Sequence, residues 1–199
     1  MILMLLYGSA NGQTRTGFEG YYYSGCGPSS SLVSRLHFED HRGWYGEARY
    51  NYDAEQTFSL NAGRTFAREG TLGYSFTPMA GILAGKTRAI STGVNVAMDR
   101  KGICFSSELQ YVFSAAGCGG DFLYSWSELG YQATGYLYTG IALQQLSACG
   151  ANIKWEPGIQ VSITCKKWRF PVYLFNPFAA ERYFVMGISY DWEFSKRHL

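Results

Sequence analysis

The sequence predicts an all-β protein: an antiparallel, up-and-down transmembrane β-barrel of about twelve strands. Three observations predict it. Apolar and polar residues alternate one by one over segments of about 10–13 residues. That is about twice the usual globular strand of roughly 5–6 residues, and it matches the roughly 9–11 a tilted strand needs to cross a bilayer. Connections are very short, as in Asp53-Ala54-Glu55 and Asp99-Arg100-Lys101-Gly102, which suits sequential strands in a meander. Charged residues make up only 16% of the 199 residues and aromatics reach 17%; soluble domains usually carry roughly 25% charge.

The chain opens Met1-Ile2-Leu3-Met4-Leu5-Leu6-Tyr7 and continues Gly8-Ser9-Ala10-Asn11-Gly12. An apolar run followed by small residues has the character of a signal-peptide end, with Ala10 and Gly12 suited to positions −3 and −1 of a cleavage site. Residues 1–12 are therefore expected to be a signal-peptide remnant, the alternative being a first strand or an unstructured start. Residues 13–199 are expected to form a single barrel domain. Strands are expected near 17–25, 30–39, 43–53, 56–67, 71–84, 88–98, 102–114, 121–132, 135–147, 151–164, 166–175 and 182–194. The first two are the least distinct, because Cys26-Gly27-Pro28-Ser29 either turns a hairpin or interrupts one strand. Ten strands is the alternative, and an even number suits a bacterial barrel.

The alternation is plainest in Trp44 to Tyr52. Trp44, Gly46, Ala48, Tyr50 and Tyr52 share one face; Tyr45, Glu47, Arg49 and Asn51 share the other. Successive strand side chains point to opposite faces, so one face is apolar and the other charged. In 58–66, Phe58, Leu60, Ala62 and Phe66 are apolar, with Arg64 an exception near the strand end. In 103–114, Ile103, Phe105, Leu109, Tyr111 and Phe113 oppose Cys104, Ser106, Glu108 and Gln110. In 153–164, Ile153, Trp155, Ile159, Val161 and Ile163 oppose Lys154, Glu156, Gln160 and Ser162. In 184–194, Phe184, Met186, Ile188, Tyr190, Trp192 and Phe194 oppose Ser189, Asp191 and Glu193.

Alternation alone does not say which face is inside. A soluble barrel packs its apolar face inward; a membrane barrel turns it to lipid. Residue types decide. Trp44, Tyr52, Phe58, Phe66, Phe113, Trp168, Trp192 and Phe194 gather near strand ends on the apolar face, as expected of interfacial aromatic girdles. A soluble, lipocalin-like barrel would use eight strands and more surface charge than this chain has. The apolar face is therefore expected to meet lipid. The lumen is then lined by Glu47, Arg49, Glu108, Glu128, Lys154, Glu156 and Arg169, with Trp126 on the same face as Glu128. These charges are expected to form a ring that either lines a constriction or pairs across the lumen and plugs it.

No apolar run approaches the roughly 18 residues of a transmembrane helix, and mean hydropathy is −0.13, as alternation requires. A net charge of +2 with scattered basic residues gives no nucleic-acid footprint. No metal-ligand spacing and no nucleotide-binding glycine pattern is present, so no metal and no cofactor is expected. His37, His41 and His198 are expected at turns and strand ends in water, with no orienting partner in the sequence. Five cysteines are an odd set. With both termini periplasmic, Cys26, Cys118 and Cys149 fall at the outer end and Cys104 and Cys165 at the inner end. A Cys118–Cys149 disulfide between two outer loops is the candidate pairing, with free thiols the alternative.

Gly43-Trp44-Tyr45-Gly46-Glu47-Ala48-Arg49-Tyr50 and Tyr124-Ser125-Trp126-Ser127-Glu128-Leu129-Gly130-Tyr131 resemble segments of small barrel proteins of Gram-negative outer membranes, particularly families without an assigned activity. The resemblance spans nearly everything after residue 15 and implies location and fold. Tyr190-Asp191-Trp192-Glu193-Phe194 is similar to the aromatic final strand read by barrel-assembly machinery. The expected partners are thus outer-membrane lipids and that machinery. Three functional readings follow: a narrow porin-like pore for small polar solutes or ions; a closed barrel serving as anchor, binding protein or partner subunit; and a lipid-modifying membrane enzyme, for which no catalytic constellation is visible.

Overall fold

The alternation holds along the chain. A computed structural model describes residues 13–25, 31–117, 120–150 and 152–195. Its strands are β1 Gln13–Ser24, β2 Ser31–Glu39, β3 Trp44–Tyr50, β4 Thr57–Arg64, β5 Phe66–Arg68, β6 Gly73–Gly85, β7 Ala89–Arg100, β8 Ile103–Ser114, β9 Phe122–Gln132, β10 Leu137–Ala148, β11 Lys154–Cys165, β12 Trp168–Phe175 and β13 Tyr183–Ser195. Each pairs antiparallel with its neighbours, and β1 pairs β13 from Gln13↔Ser195 to Ser24↔Phe184. The sheet therefore closes on itself.

β4 and β5 are two parts of one crossing. Both pair β6 in a single register, Gly63↔Met79 before the break and Phe66↔Phe76 after it. Pro78 of β6 lies opposite Arg64, the residue just before the break, and proline has no N–H to give the ladder. Thr65 instead donates its N–H to the Gly43 carbonyl at 2.7 Å. Counted by crossings the barrel has twelve strands, and β1 and β2 form the hairpin that the sequence left open against a ten-stranded alternative. A 12-residue strand rises about 40 Å, and tilted by about 45° it spans close to 30 Å, the thickness of a hydrocarbon core.

The two ends differ. Connections on the side of the termini span 40–43, 69–72, 101–102, 133–136 and 166–167; those on the other side span 25–30, 51–56, 86–88, 115–121, 149–153 and 176–182. Short turns face the periplasm and longer loops the exterior, so Gln13 at the start of β1 and Ser195 at the end of β13 fall on the periplasmic side. One of the two-residue turns, Lys101-Gly102, holds φ of 50° and 82°, the left-handed pair that a two-residue hairpin uses to follow strand twist.

The exterior is apolar. Leu60, Ile82, Ile90, Ile141, Ile159 and Met186 stand among many exposed apolar side chains, while Glu19, Arg35, Arg49, Glu108 and Glu128 are buried. A soluble protein reverses this arrangement, so the belt faces lipid. Aromatic pairs mark both ends of the belt: Tyr50–Phe58 at 4.5 Å and Tyr111–Phe113 at 4.6 Å outside, Trp168–Tyr190 at 4.5 Å and Tyr190–Trp192 at 5.5 Å on the periplasmic side. Arg64, a cation on the lipid face, lies over the Trp44 and Phe66 rings at 5.8 and 5.6 Å. There its stem covers apolar surface while the head reaches the interface.

Tyr52 departs from its expected place. It sits inside the barrel, not in the lipid-facing girdle. Asn51 takes a φ of 60°, which ends β3 at Tyr50 and turns the next side chain inward. The side chains of Glu193 and Phe194, and residues 1–12 with the expected cleavage site, lie outside the described residues.

Candidate functional site: the barrel lumen

Inward positions on β1, β2, β3 and β8 bring a charged network to the middle of the barrel. Arg35 of β2 lies between two carboxylates. Its Nη1 is 2.9 Å from Glu108 Oε2, and its Nη2 is 2.9 and 3.0 Å from the two oxygens of Glu19. Arg49 of β3 repeats the arrangement one strand on. Its Nη2 is 2.5 Å from Glu47 Oε1 and 2.6 Å from Glu108 Oε1. Its Nη1 donates to Asp53 Oδ1 at 2.9 Å and to Gln110 Oε1 at 2.7 Å. Glu108 thus bridges both arginines. Tyr45 donates to Glu47 at 2.8 Å, Tyr21 to Glu19 at 3.0 Å, and Ser59 to Asp53. The inward Tyr52 ring lies 4.6 Å from the Arg49 guanidinium, a cation–π contact in a desolvated setting.

Burial makes the pairing obligatory. Arg49 and Glu108 are each 1% exposed. Charges this deep persist only when paired and hydrogen-bonded, because the desolvation penalty is several kcal/mol per ion.

The opposite wall is aromatic. Trp126 of β9 meets Tyr173 and Phe175 of β12 edge-on at 5.2 and 5.1 Å, and Phe175 stacks on Tyr183 at 5.1 Å. Tyr173 and Phe175 are 0% exposed. Glu128 is set into this wall and accepts from Trp126 Nε1 and from the Tyr173 hydroxyl, both at 2.8 Å. Small polar side chains line β4 and β6 to β8: Ser59, Asn61, Ser75, Thr77, Ser91 and Ser106. A cavity of about 40 Å³ lies between that wall and the Arg35–Glu108 pair, bordered by Ser75, Thr77, Asn95 and Ser106. It has room for about two or three waters among polar partners.

The charged residues read from sequence do not form one ring. Glu47, Arg49 and Glu108 meet at mid-height. Lys154 and Glu156 pair at 2.7 Å at the outer end, with the lysine more than half exposed. Arg169 begins β12 at the periplasmic end, and Glu128 sits with Trp126 in the aromatic wall. Sequence reasoning passed over Glu19 and Arg35, which anchor the network. The signal was available: Val33, Arg35, His37 and Glu39 alternate with the exposed Leu32, Leu36 and Phe38. His37 is not in water. It is 2% exposed, stacks on Tyr45 at 6.4 Å, and lies 3.7 Å from Asp191. Gly17 leaves it that room, since a Cβ there would collide with the His37 ring. His41 is exposed in the turn after β2, and His198 lies outside the described residues.

Cys149 carries an exposed free thiol in an outer loop, and its N–H donates to the Asp121 carbonyl at 2.9 Å, across to the loop that contains Cys118. Cys118 and Cys26 lie outside the described residues.

The KdgM porin overlays this chain with a TM-score of 0.61 at 11% identity, covering 88% of this chain and 98% of that one. By fold, this is a porin-type barrel. The KdgM porin in complex with disordered oligogalacturonate gives 0.59 at 13% identity, with the same coverage. A structure from work on in-meso crystallization of membrane proteins gives 0.55 at 13% identity, covering 94% and 85%. No family model and no curated protein matches the chain. The fold is that of bacterial outer-membrane porins, and the apolar belt suits the chain to that membrane.

Proposed function

We propose that this chain is a narrow outer-membrane pore for small polar solutes or ions, not an enzyme. The observation that carries the reading is the asymmetry of the lumen. Bulky aromatic and charged side chains occupy the β9–β13 and β1–β3 walls and Glu108 of β8, while β4, β6, β7 and Ser106 of β8 present short hydroxyl and amide side chains beside a polar cavity. A solute path hugs that small-residue wall and passes the Arg35–Glu108 pair. Oligogalacturonate, bound in one fold neighbour, is no part of this proposal, because the mid-lumen ion pairs described here join Glu19, Glu47, Asp53 and Glu108 to only two guanidinium groups, those of Arg35 and Arg49. Lipids surround the belt, and barrel-assembly machinery inserts it through its aromatic last strand.

A second reading rests on one observation: the mid-lumen side chains are so fully buried that they can hold the barrel shut as an anchor or partner subunit. Single-channel recording of the refolded protein in a planar bilayer separates the two. Discrete, stable openings are expected for the pore. A folded, heat-modifiable barrel that stays silent makes the closed reading the right one.

A further inference from the structure

We infer that the outer surface of the periplasmic rim, from β3 to β8, binds the anionic headgroup of a membrane phospholipid. The inference goes beyond the pore reading and holds whether or not the lumen conducts. Arg64, Arg68 and Arg100 are exposed on the lipid face, at the periplasmic ends of β4, β5 and β7. Register places them side by side. Arg64 stands opposite Trp44. Arg68 stands opposite Tyr74, Tyr74 opposite Met98, and Arg100 follows Met98 two residues on, along the same face. Strands about 4.8 Å apart and a rise of about 3.3 Å per residue put the Arg68 and Arg100 backbones roughly 12 Å apart, so two long side chains can converge on one headgroup. Lys101 continues the row into the next turn. Among the described residues, no carboxylate lies within ion-pair distance of any of these four cations.

The acidic side chains of this sector do not cancel that charge. Asp40 accepts the amides of its own turn. Asp99 alternates with Met98 and Arg100 and faces inward, which leaves Glu69 in the 69–72 turn. At the outer rim, by contrast, Lys86 pairs with Glu55 at 2.6 Å and Lys154 with Glu156 at 2.7 Å. Basic clusters at a membrane surface attract anionic headgroups. Arg64 is also oriented for one. The Trp44 and Phe66 rings take the face of its guanidinium, and its in-plane N–H groups stay open to a phosphate, which accepts them as a fork. Exposed Phe66 and Tyr74 mark headgroup depth. Beyond them toward the outer end, Leu60 and Ile82 face each other across β4 and β6 on the same lipid face. A phospholipid therefore gains acyl-chain contact as well as ion pairing, and a free phosphate gains only the latter.

The test is electron paramagnetic resonance of spin-labelled phosphatidylglycerol and phosphatidylcholine with the refolded full chain in phosphatidylcholine vesicles. At low salt the wild type is expected to immobilise phosphatidylglycerol several-fold more strongly than phosphatidylcholine. Raising the salt is expected to lower that ratio by screening, a measurement that needs no variant to fold. Arg64→Gln, Arg68→Gln and Arg100→Gln combined are expected to bring the ratio close to one while heat-modifiable migration is kept. Lys166→Gln with Lys167→Gln, at the turn after β11, is expected to leave the ratio at the wild-type value. Equal immobilisation of the two lipids by wild type overturns the inference. So does a preference that neither salt nor the triple variant moves, or one that the Lys166 and Lys167 changes abolish as fully. Inorganic phosphate that displaces phosphatidylglycerol far better than chloride at equal ionic strength makes the site one for free phosphate and overturns the lipid assignment. None of these outcomes bears on whether the barrel conducts.

Discussion

Arg49 shows what one buried side chain does in this barrel. It touches Glu47, Asp53, Glu108 and Gln110 and lies under the Tyr52 ring, so its removal strands three carboxylates with one remaining cation. Breaking a buried pair costs about 3–5 kcal/mol, and Arg49→Ala is expected to lower stability by about that much in urea unfolding of the lipid-embedded protein. A loss of under about 1 kcal/mol would mean that water already solvates the network. Asp40 makes the opposite case, at a solvated turn. Its Oδ1 accepts the N–H groups of Arg42 and Trp44 at 2.8 Å each. Slight desolvation pushes its pKa up, but those two amide bonds outweigh it and hold the group below the usual carboxylate range. A depressed folded pKa stabilises above the unfolded value and loses that contribution as pH falls through the folded one. The stability gap between wild type and Asp40→Ala is therefore expected to be full near neutral pH and to shrink below the carboxylate range. A gap constant down to strong acid would assign the effect to backbone preference alone.

Elements were legible wherever alternation ran unbroken. Trp44 to Tyr50 and Ile103 to Ser114 display their two faces in the bare sequence, because a lipid-facing strand must offer an apolar side chain at every second position. What stayed hidden were the places where the period breaks. Asn51 is the plainest. Nothing in the alternation marks it as left-handed, yet its φ of 60° reverses the side on which Tyr52 falls. Its side chain ties the 51–56 loop together: Oδ1 accepts from Gln56 N at 2.7 Å, and Nδ2 donates to Ser31 Oγ at 2.9 Å and to Leu32 O at 3.0 Å. Asn51→Ala removes these bonds and places a less tolerant residue at positive φ, a change worth about 1–3 kcal/mol. It is expected to destabilise the barrel and to free Tyr52 from the lumen, seen as greater exposure of that tyrosine to a soluble quencher or modifying reagent. Pro78 hid a second detail. It splits β4 from β5 on paper while the register runs straight through. A proline facing one strand tells the sequence reader nothing about the strand it faces.

At the scale of the whole molecule, the sequence shows which face is inward and not how inward side chains from distant strands meet. Glu108 and Arg35 lie 73 residues apart and Arg49 and Gln110 lie 61 apart; barrel closure alone brings them together. The same closure sets a bulky wall against a small-residue wall, and that division makes a prediction about the route of flow. Thinning the aromatic wall by Phe175→Ala enlarges the lumen, at about 3–5 kcal/mol for a buried aromatic truncation, and is expected to raise single-channel conductance. Filling the facing wall by Thr77→Leu puts a larger apolar side chain beside the cavity and is expected to reduce conductance or abolish it. The pair of outcomes matters more than either one. If Thr77→Leu conducts as the wild type does while Phe175→Ala conducts more, solutes pass along the aromatic side, and the hydroxyl-lined wall is packing, not path. If both variants behave as expected, the path lies between Thr77 and the Arg35–Glu108 pair. Those two charges are then the gate that each permeating ion must pass.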